Sequence, residues 1–248
     1  FDNALTGVKQ VQMMGLPSPY LLFTEENIPF VRGASQVYGL SFTPGTWIES
    51  LQITKGAGSV VNGYESMTGQ INAELKKPLS SETLFVNLFR SLEGRNEVNF
   101  HTKKKFNKKL SSNLFVHYNE RSERHDANKD GFLDMPLSEQ INLLNRWQYI
   151  DAEKGWVSFV NVRFLQDEKL LGQLDFNPKM NNKNSQVWGS EIKTKRYEST
   201  LKLGYVFPAL PYQSFGAQFA YSDHNQESYF GNRSYDIYHK STYANLLF

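Results

Sequence analysis

The residues best spaced to do chemistry lie in one short run, Asp126-Ala127-Asn128-Lys129-Asp130-Gly131-Phe132-Leu133-Asp134. Carboxylate and amide oxygens at alternate positions around a glycine-permitted turn suit a hard cation that takes six to eight oxygen ligands. Calcium is the expected ion. Asp126, Asn128, Asp130 and Asp134 would ligate by side chain and Phe132 by its carbonyl, with Glu123 or Glu139 completing the shell. The run departs from an EF-hand: its twelfth position is Leu137, not Glu, and Pro136 precludes a flanking helix there. The alternative is a solvated acidic turn held by Asx hydrogen bonds. An ion here would order a long loop, a structural role.

Other chemistry is hard to assemble. His101, His117, His125, His224 and His239 are scattered, without the spacing of a zinc site, and read as lumen-facing polar residues. With no cysteine there is no thiolate site and no disulfide framework. Gly56-Ala57-Gly58 lacks the Lys-Ser/Thr and helix of a phosphate cradle, and no nucleophile elbow stands out, so no enzyme is read here. Met13-Met14, conceivable as soft copper ligands, sit in an apolar run and read as core. A net charge of +2 over 248 residues offers no field for nucleic acid.

The elements that carry these residues change character along the chain. Residues 1–38 mix short apolar runs with Gly7, Gly15, Pro17, Pro19 and Pro29, which supports short strands and turns over long helices. Pro44-Gly45 marks a turn. From Leu79 onward the texture is a ladder of strands, placed near 81–92, 95–105, 109–121, 139–151, 155–167, 190–206, 212–224 and 235–248. Several alternate cleanly: Val98, Phe100 and Thr102 oppose Glu97, Asn99, His101 and Lys103, while Tyr197, Leu201, Leu203 and Tyr205 oppose Glu198, Thr200 and Lys202. Phe215, Ala217, Phe219 and Tyr221 likewise oppose Gly216, Gln218 and Ala220. Such a dyad fits a membrane barrel with its apolar face outward, or a soluble sandwich with that face inward.

Connector lengths favour the barrel. Short turns (FNKK, DAEKG, PALPY) alternate with connectors of which two, 122–138 and 168–189, are long. Trp147, Tyr149 and Trp156 flank one short turn and Tyr205, Phe207 and Tyr212 another, as in an interfacial aromatic girdle. The chain has no run of roughly 18 apolar residues, so a transmembrane helix is excluded and a barrel is not. Eight strands would close on an interior only wide enough for side chains, leaving no room for the preceding unit. The expectation is therefore a piece of a larger barrel, in a chain that starts mid-protein.

Between the two textures lies WIESLQITKGAGSVVNGYESMTGQINAELKKP, residues 47–78, two β-type runs around a turn rich in Gly56, Gly58, Asn62, Gly63 and Gly69. Glu49, Ile53, Lys55-Gly56, Ser59-Val60, Gly63, Gly69 and Ile71-Asn72 resemble the signature closing the plug domain of TonB-dependent outer-membrane receptors. Most members carry Arg-Gly where this chain has Lys55-Gly56. GQINAELKKP, with GVKQVQMMGL and ENIPFVRG upstream, resembles the Bacteroidetes-type branch.

That resemblance implies a mainly β protein: the C-terminal part of a plug of mixed α+β character over 1–78 inside the lumen, then the first strands, about eight, of a larger antiparallel transmembrane β-barrel over 79–248. It implies an integral bacterial outer-membrane protein, loops outside and plug and short turns toward the periplasm. Its work would be to bind a scarce nutrient, small-molecule or oligomeric, and to import it through plug movement energised by a TonB-type complex. Outer-membrane lipid and a surface lipoprotein complete the implied partners. Arg32, Gly33, Ala34 and Ser35, in the apical plug loop, and the two long loops are the candidate ligand-facing parts. Rivals are a secreted, calcium-stabilised glycan-binding β-sandwich and a passive porin-like channel.

Overall fold

The computed structural model describes residues 8, 10–59, 65–180 and 186–248. Val60 and Gly63 of the plug-like signature, with Gly7 and Asn62, lie outside the described residues. The N-terminal unit holds β1 (Gln12–Met13), β2 (Leu16–Pro17), β3 (Leu21–Glu25), β4 (Ile28–Pro29), β5 (Ile48–Lys55) and β6 (Gly69–Leu75). β1 and β2 form a small ribbon, and the other four a sheet ordered β4-β3-β6-β5 in which β3 and β6 run parallel. No α-helix occurs among the described residues. The expected helical share of this unit reduces to 3-10 turns at Ser18–Tyr20, Gly33–Gln36, Gly39–Ser41 and Gly45–Trp47. Glycine and proline recur too closely there to let an α-helix pass its costly first turn.

The rest is one antiparallel sheet of β7 (Leu84–Arg90), β8 (Arg95–Lys105), β9 (Leu110–Arg121), β10 (Leu137–Asp151), β11 (Trp156–Gly172), β12 (Gly189–Val206), β13 (Ser214–Phe230), the two-residue β14 (Arg233–Ser234) and β15 (Ile237–Leu247). Each long strand pairs with the next in sequence, a meander, and β15 continues the wall beyond β13. Connectors 106–109, 152–155 and 207–213 lie at one end, the short-turn end, and 122–136 and 173–188 at the other.

The wall is inside-out relative to a soluble protein. Along β10, Gln140, Asn142, Arg146 and Gln148 are buried, while Ile141 and Leu143 are each 37% exposed. β8 repeats the pattern with Asn99 and His101 buried and Val98 exposed. Polar side chains thus point at the N-terminal unit and aliphatic ones at the surroundings, as hydrocarbon demands. A sandwich would bring the aliphatic faces together, and this sheet turns them outward. At the short-turn end Phe106 stacks on Trp147, and Trp156, Tyr205 and Phe207 form a run of ring contacts with centroids 4.7 and 4.9 Å apart, the girdle expected there.

Two strands outrun their expected ends: β11 reaches Gly172 and β13 reaches Phe230. Their last residues, among them Glu168 and Lys169, read as loop because the outward positions turn polar as well. The outward face turns polar there, at Gln166, Glu168 and Glu227, while the inward face stays buried at Leu171, Gln226 and Ser228, so the ladder continues where the hydrophobic dyad stops.

Candidate functional site

The N-terminal unit meets the wall across a seam built from ionisable residues. β3 ends in Glu25, and the β3–β4 hairpin turns through Glu26 and Asn27, both left-handed at φ 57° and 62°. Two such residues make the turn type that matches strand twist, yet glutamate is a costly occupant. The conformation is held from β6: Glu26 N donates to Ala73 O at 2.9 Å, Asn27 N to Asn72 Oδ1 at 2.8 Å, and Leu75 N to Glu26 Oε1 at 2.9 Å. Strain of this kind persists where surroundings over-determine it. Here it aims two carboxylates at the wall.

Two inward arginines receive them. Arg146 of β10, fully buried, places Nη2 2.9 Å from Glu26 Oε1, skewed from in-line hydrogen-bond geometry, so that the attraction is chiefly ionic. Lys202 of β12 donates to Glu26 O at 2.9 Å and lies 3.4 Å from Glu26 Oε2. Burial alone would raise the Glu26 carboxyl, but Arg146, Lys202 and the Leu75 amide together hold it below the ordinary carboxylate value. Arg163 of β11 reaches Glu25 Oε1 and Oε2 at 2.8 and 2.9 Å through Nη2 and Glu198 Oε2 at 3.3 Å through Nη1. The Phe30 and Trp47 rings lie 5.0 and 5.7 Å from its guanidinium carbon, within cation–π range.

Neutral contacts extend the seam. Gln140 donates to Ser41 O at 3.3 Å, Asn142 donates to Phe42 O, and Thr46 Oγ1 donates to Asn99 Oδ1 at 2.9 Å. Trp47 inserts among Leu75, Phe115 and Leu144, an apolar peg in a polar surface. Tyr38, under Lys169 and near Asp167, has its phenol pushed up to about 12, chiefly by burial. The linker from β6 to β7 is pinned through Glu82, which accepts from Lys76 at 3.2 Å and sits 3.1 Å from His101 Nε2. Its own backbone amide first, then those two partners, hold that carboxyl down to about 2. Near the long-loop end a cleft remains open between the two units, lined by Pro44, Arg95, His117, Arg121, Met135 and Lys169 among others.

The residues singled out from sequence fall into two places. Arg32, Gly33, Ala34 and Ser35 form the start of the Gly33–Gln36 turn against β15. Arg32 ion-pairs Glu65 at 2.9 Å, and Ser35 is buried, donating to Arg32 O at 2.9 Å and accepting from Arg32 N at 3.1 Å. Ser35 therefore shapes the turn. Gly33, at φ +56°, lies so close to His239 that a Cβ would come within 2.8 Å of the ring.

Asp126, Asn128, Asp130, Phe132 and Asp134 share one exposed loop, where the side-chain oxygens turn toward the loop's own amides. Asp126 accepts from Asp130 N and Gly131 N at 3.1 and 2.9 Å, Asp130 from Phe132 N at 2.9 Å, and Asp134 from Ala127 N at 2.7 Å. No group of three or more His, Asp or Glu side chains gathers at metal-holding distance among the described residues. This loop is tied to the other long one. Leu133 N donates to Gly172 O at 2.9 Å, Leu174 N to Gly131 O at 2.9 Å, and Arg124 grips the carbonyls of Leu174 and Phe176.

Sequence reasoning missed Glu25, Glu26, Arg146 and Arg163. A signal was present: Arg146 and Arg163 occupy the inward dyad of strands whose outward positions are apolar. The wall itself supplies Glu198 to Arg163, and the N-terminal unit supplies Glu25 and Glu26.

A greasy-outside, polar-inside antiparallel wall with a folded unit ion-paired to its polar face defines a plugged β-barrel. Solved structures agree. The siderophore receptor PiuA from Acinetobacter baumannii matches 92% of this chain at TM-score 0.62 and 12% identity. The ferric-catecholate import receptor Fiu from E. coli K12, in its open form, matches 97% at TM-score 0.61 and 11% identity. The ferripyoverdine receptor of the outer membrane of Pseudomonas aeruginosa matches 95% at TM-score 0.52 and 15% identity. This chain spans 32%, 39% and 41% of those three receptors, respectively. What they share with it is the fold. No protein-family model and no curated protein sequence matches the chain.

Proposed function

We propose that this chain is the C-terminal part of the plug and the first barrel strands of a bacterial outer-membrane receptor, which binds a scarce nutrient outside the cell and imports it by TonB-energised displacement of the plug. The carrying observation is the chemistry of the seam. An interface of ion pairs and hydrogen bonds, each group of which water can solvate, separates at far lower cost than an apolar core of equal area. A static lumen filler has no need of it. The Bacteroidetes-type signature and the receptor folds named above support the same reading, and the siderophore receptors among them favour a metal chelate over a glycan or peptide as cargo. Arg32 and Gly33, together with the cleft at Arg95 and Arg121, are the proposed ligand-facing parts, beneath loops open to a surface lipoprotein.

Uptake of a panel of labelled ferric chelates by cells expressing the full-length protein tests the proposal. Uptake should stop when the proton gradient is collapsed, with surface binding retained. Uptake that continues without the gradient would establish a passive channel instead. We also propose that calcium orders the loop at 126–134, at the expense of some of its internal hydrogen bonds. Calcium should then raise the thermal midpoint of the wild type and leave Asp130→Asn unchanged, and equal response of the two would remove the ion from the account.

A further inference from the structure

The short-turn end of the wall carries charge that the plug seam does not use. The chain as a whole is near neutral at +2, yet Lys103, Lys104, Lys105, Lys108 and Lys109 crowd around the turn 106–109. The other short turns add little: 152–155 holds Glu153 and Lys154, and 207–213 holds no charged residue. Two of the crowded lysines are engaged. Lys103, on the inward dyad, donates to Ser81 O, and Lys109 donates to Asp151 Oδ2 at 2.6 Å. Lys104, Lys105 and Lys108 are exposed and pair with no carboxylate among the described residues.

Their position fixes what they can meet. Lys104 lies opposite Ser112 and Ser112 opposite Trp147, and Trp147 shares the outward set of β10 with Ile141 and Leu143. Lys104 thus stands on the outward face, its Nζ 5.3 Å from the centre of the Phe106 ring, which stacks on Trp147 at 5.2 Å. These rings belong to the girdle, the level at which hydrocarbon gives way to headgroups. A lysine stem laid along such a ring holds its ammonium at the depth of lipid phosphates. Like charges this close repel, and no carboxylate of the described residues answers the three free ones, whereas a sheet of anionic headgroups would. At the opposite rim carboxylates prevail: outward Glu120, Glu139 and Glu168 stand in direct register across β9, β10 and β11, and Lys193 is taken by Glu191 at 2.8 Å. An anionic lipid is drawn to one rim and repelled by the other.

We infer that Lys104, Lys105 and Lys108 form a docking surface for anionic phospholipid in the leaflet at the short-turn end, with the headgroup phosphate against Lys104 and an acyl chain along the Phe106 and Trp147 rings. Bound lipid neutralises the cluster and seats this end of the wall at the headgroup plane. The surface depends on the outward face meeting lipid and on no particular cargo, so it goes beyond the import proposal.

The test places the full-length protein in phosphatidylcholine vesicles doped with either phosphatidylglycerol or phosphatidylcholine that is brominated high on its acyl chains. Bromine quenches tryptophan on contact, and the difference between wild type and Trp147→Phe isolates the Trp147 signal. A basic residue at an anionic surface contributes about fivefold in binding. Brominated phosphatidylglycerol should therefore quench Trp147 at about one fifth, or less, of the fraction that brominated phosphatidylcholine needs, and high salt should narrow that gap. Lys104→Gln with Lys105→Gln and Lys108→Gln should bring the two lipids together, while Lys154→Gln at the neighbouring turn should leave the gap in place. Quenching of the triple variant by brominated phosphatidylcholine verifies that it still folds and inserts. Equal quenching by the two lipids in the wild type, or a gap that survives the triple variant, would overturn the inference and leave the lipid-facing wall standing. No quenching by either lipid would remove both. Binding of polyglutamate that the triple variant loses, with no difference between the lipids, would assign the surface to an acidic protein and equally overturn the lipid.

Discussion

Glu25 and Glu26 are adjacent, but their loss should differ in size. Arg146 has Glu26 as its sole carboxylate partner among the described residues and is fully buried. Glu26→Gln therefore strands a buried guanidinium, for which a cost of about 3–5 kcal/mol is expected. Arg163 has two carboxylates, so Glu25→Gln leaves it paired with Glu198 at 3.3 Å, and the loss is that of charge-assisted hydrogen bonds, about 1.5–3 kcal/mol. The reporter is the amide of Leu75, which donates to Glu26 Oε1 at 2.9 Å. Hydrogen exchange of the β6 peptide in the full-length protein should accelerate roughly a hundredfold to several-thousandfold in Glu26→Gln, at ~1.4 kcal/mol per tenfold. Glu25→Gln should give ~10- to 150-fold on the same scale. Exchanging the buried pair for Arg146→Met with Glu26→Gln should recover part of the loss, because no charge is then left stranded. Equal effects of the two glutamine variants, or less than tenfold for Glu26→Gln, would refute the claim that the seam's strength depends on how many carboxylates each arginine owns.

Acid should loosen the same seam. The Glu26 carboxyl lies below its ordinary value of 4.5 in the folded protein, so its contribution is full above that value and is lost as pH falls through the lower folded one. Exchange at Leu75, corrected for intrinsic rate, should rise below pH 4.5, and Glu26→Gln should flatten that rise. Gly33→Ala places a Cβ on a residue at φ +56°, worth ~1–2 kcal/mol in backbone strain. Adding His239→Ala removes the contact but not the strain, so a thermal melt should show little rescue. Leu143→Arg, on the outward face of β10, should destabilise the protein in bilayers by ~2–4 kcal/mol, measured by urea titration in vesicles, whereas a wall facing water would tolerate it.

The wall was legible because its dyad is written in residue types: β8 was placed at its observed bounds, and the girdle sat where Trp147, Trp156 and Tyr205 said it would. The strand ends at Gly172 and Phe230 were less so, since the alternation of apolar and polar residues fades where the outward face turns polar as well. Glu25 and Glu26 were illegible for a different reason. A carboxylate pair on a hairpin looks like any surface turn, and only the register that sets Arg146 and Arg163 opposite it gives the charges their meaning. In the loop at 126–134, spacing named the oxygens but could not say whether they would serve an ion or their own backbone.

The tie between the two long loops works through main-chain groups on one side. Arg124 takes hold of the carbonyls of Leu174 and Phe176, which every residue type would supply, and the bridge from Phe132 to Gln173 is likewise backbone to backbone. Leu174 can therefore change its side chain without loosening the clasp, whereas Gln173, which accepts from Trp188 N through its side chain, and the buried Phe176 cannot. The exposed face of this loop pair is thereby uncoupled from the clasp beneath it, so that one can vary while the other stays put.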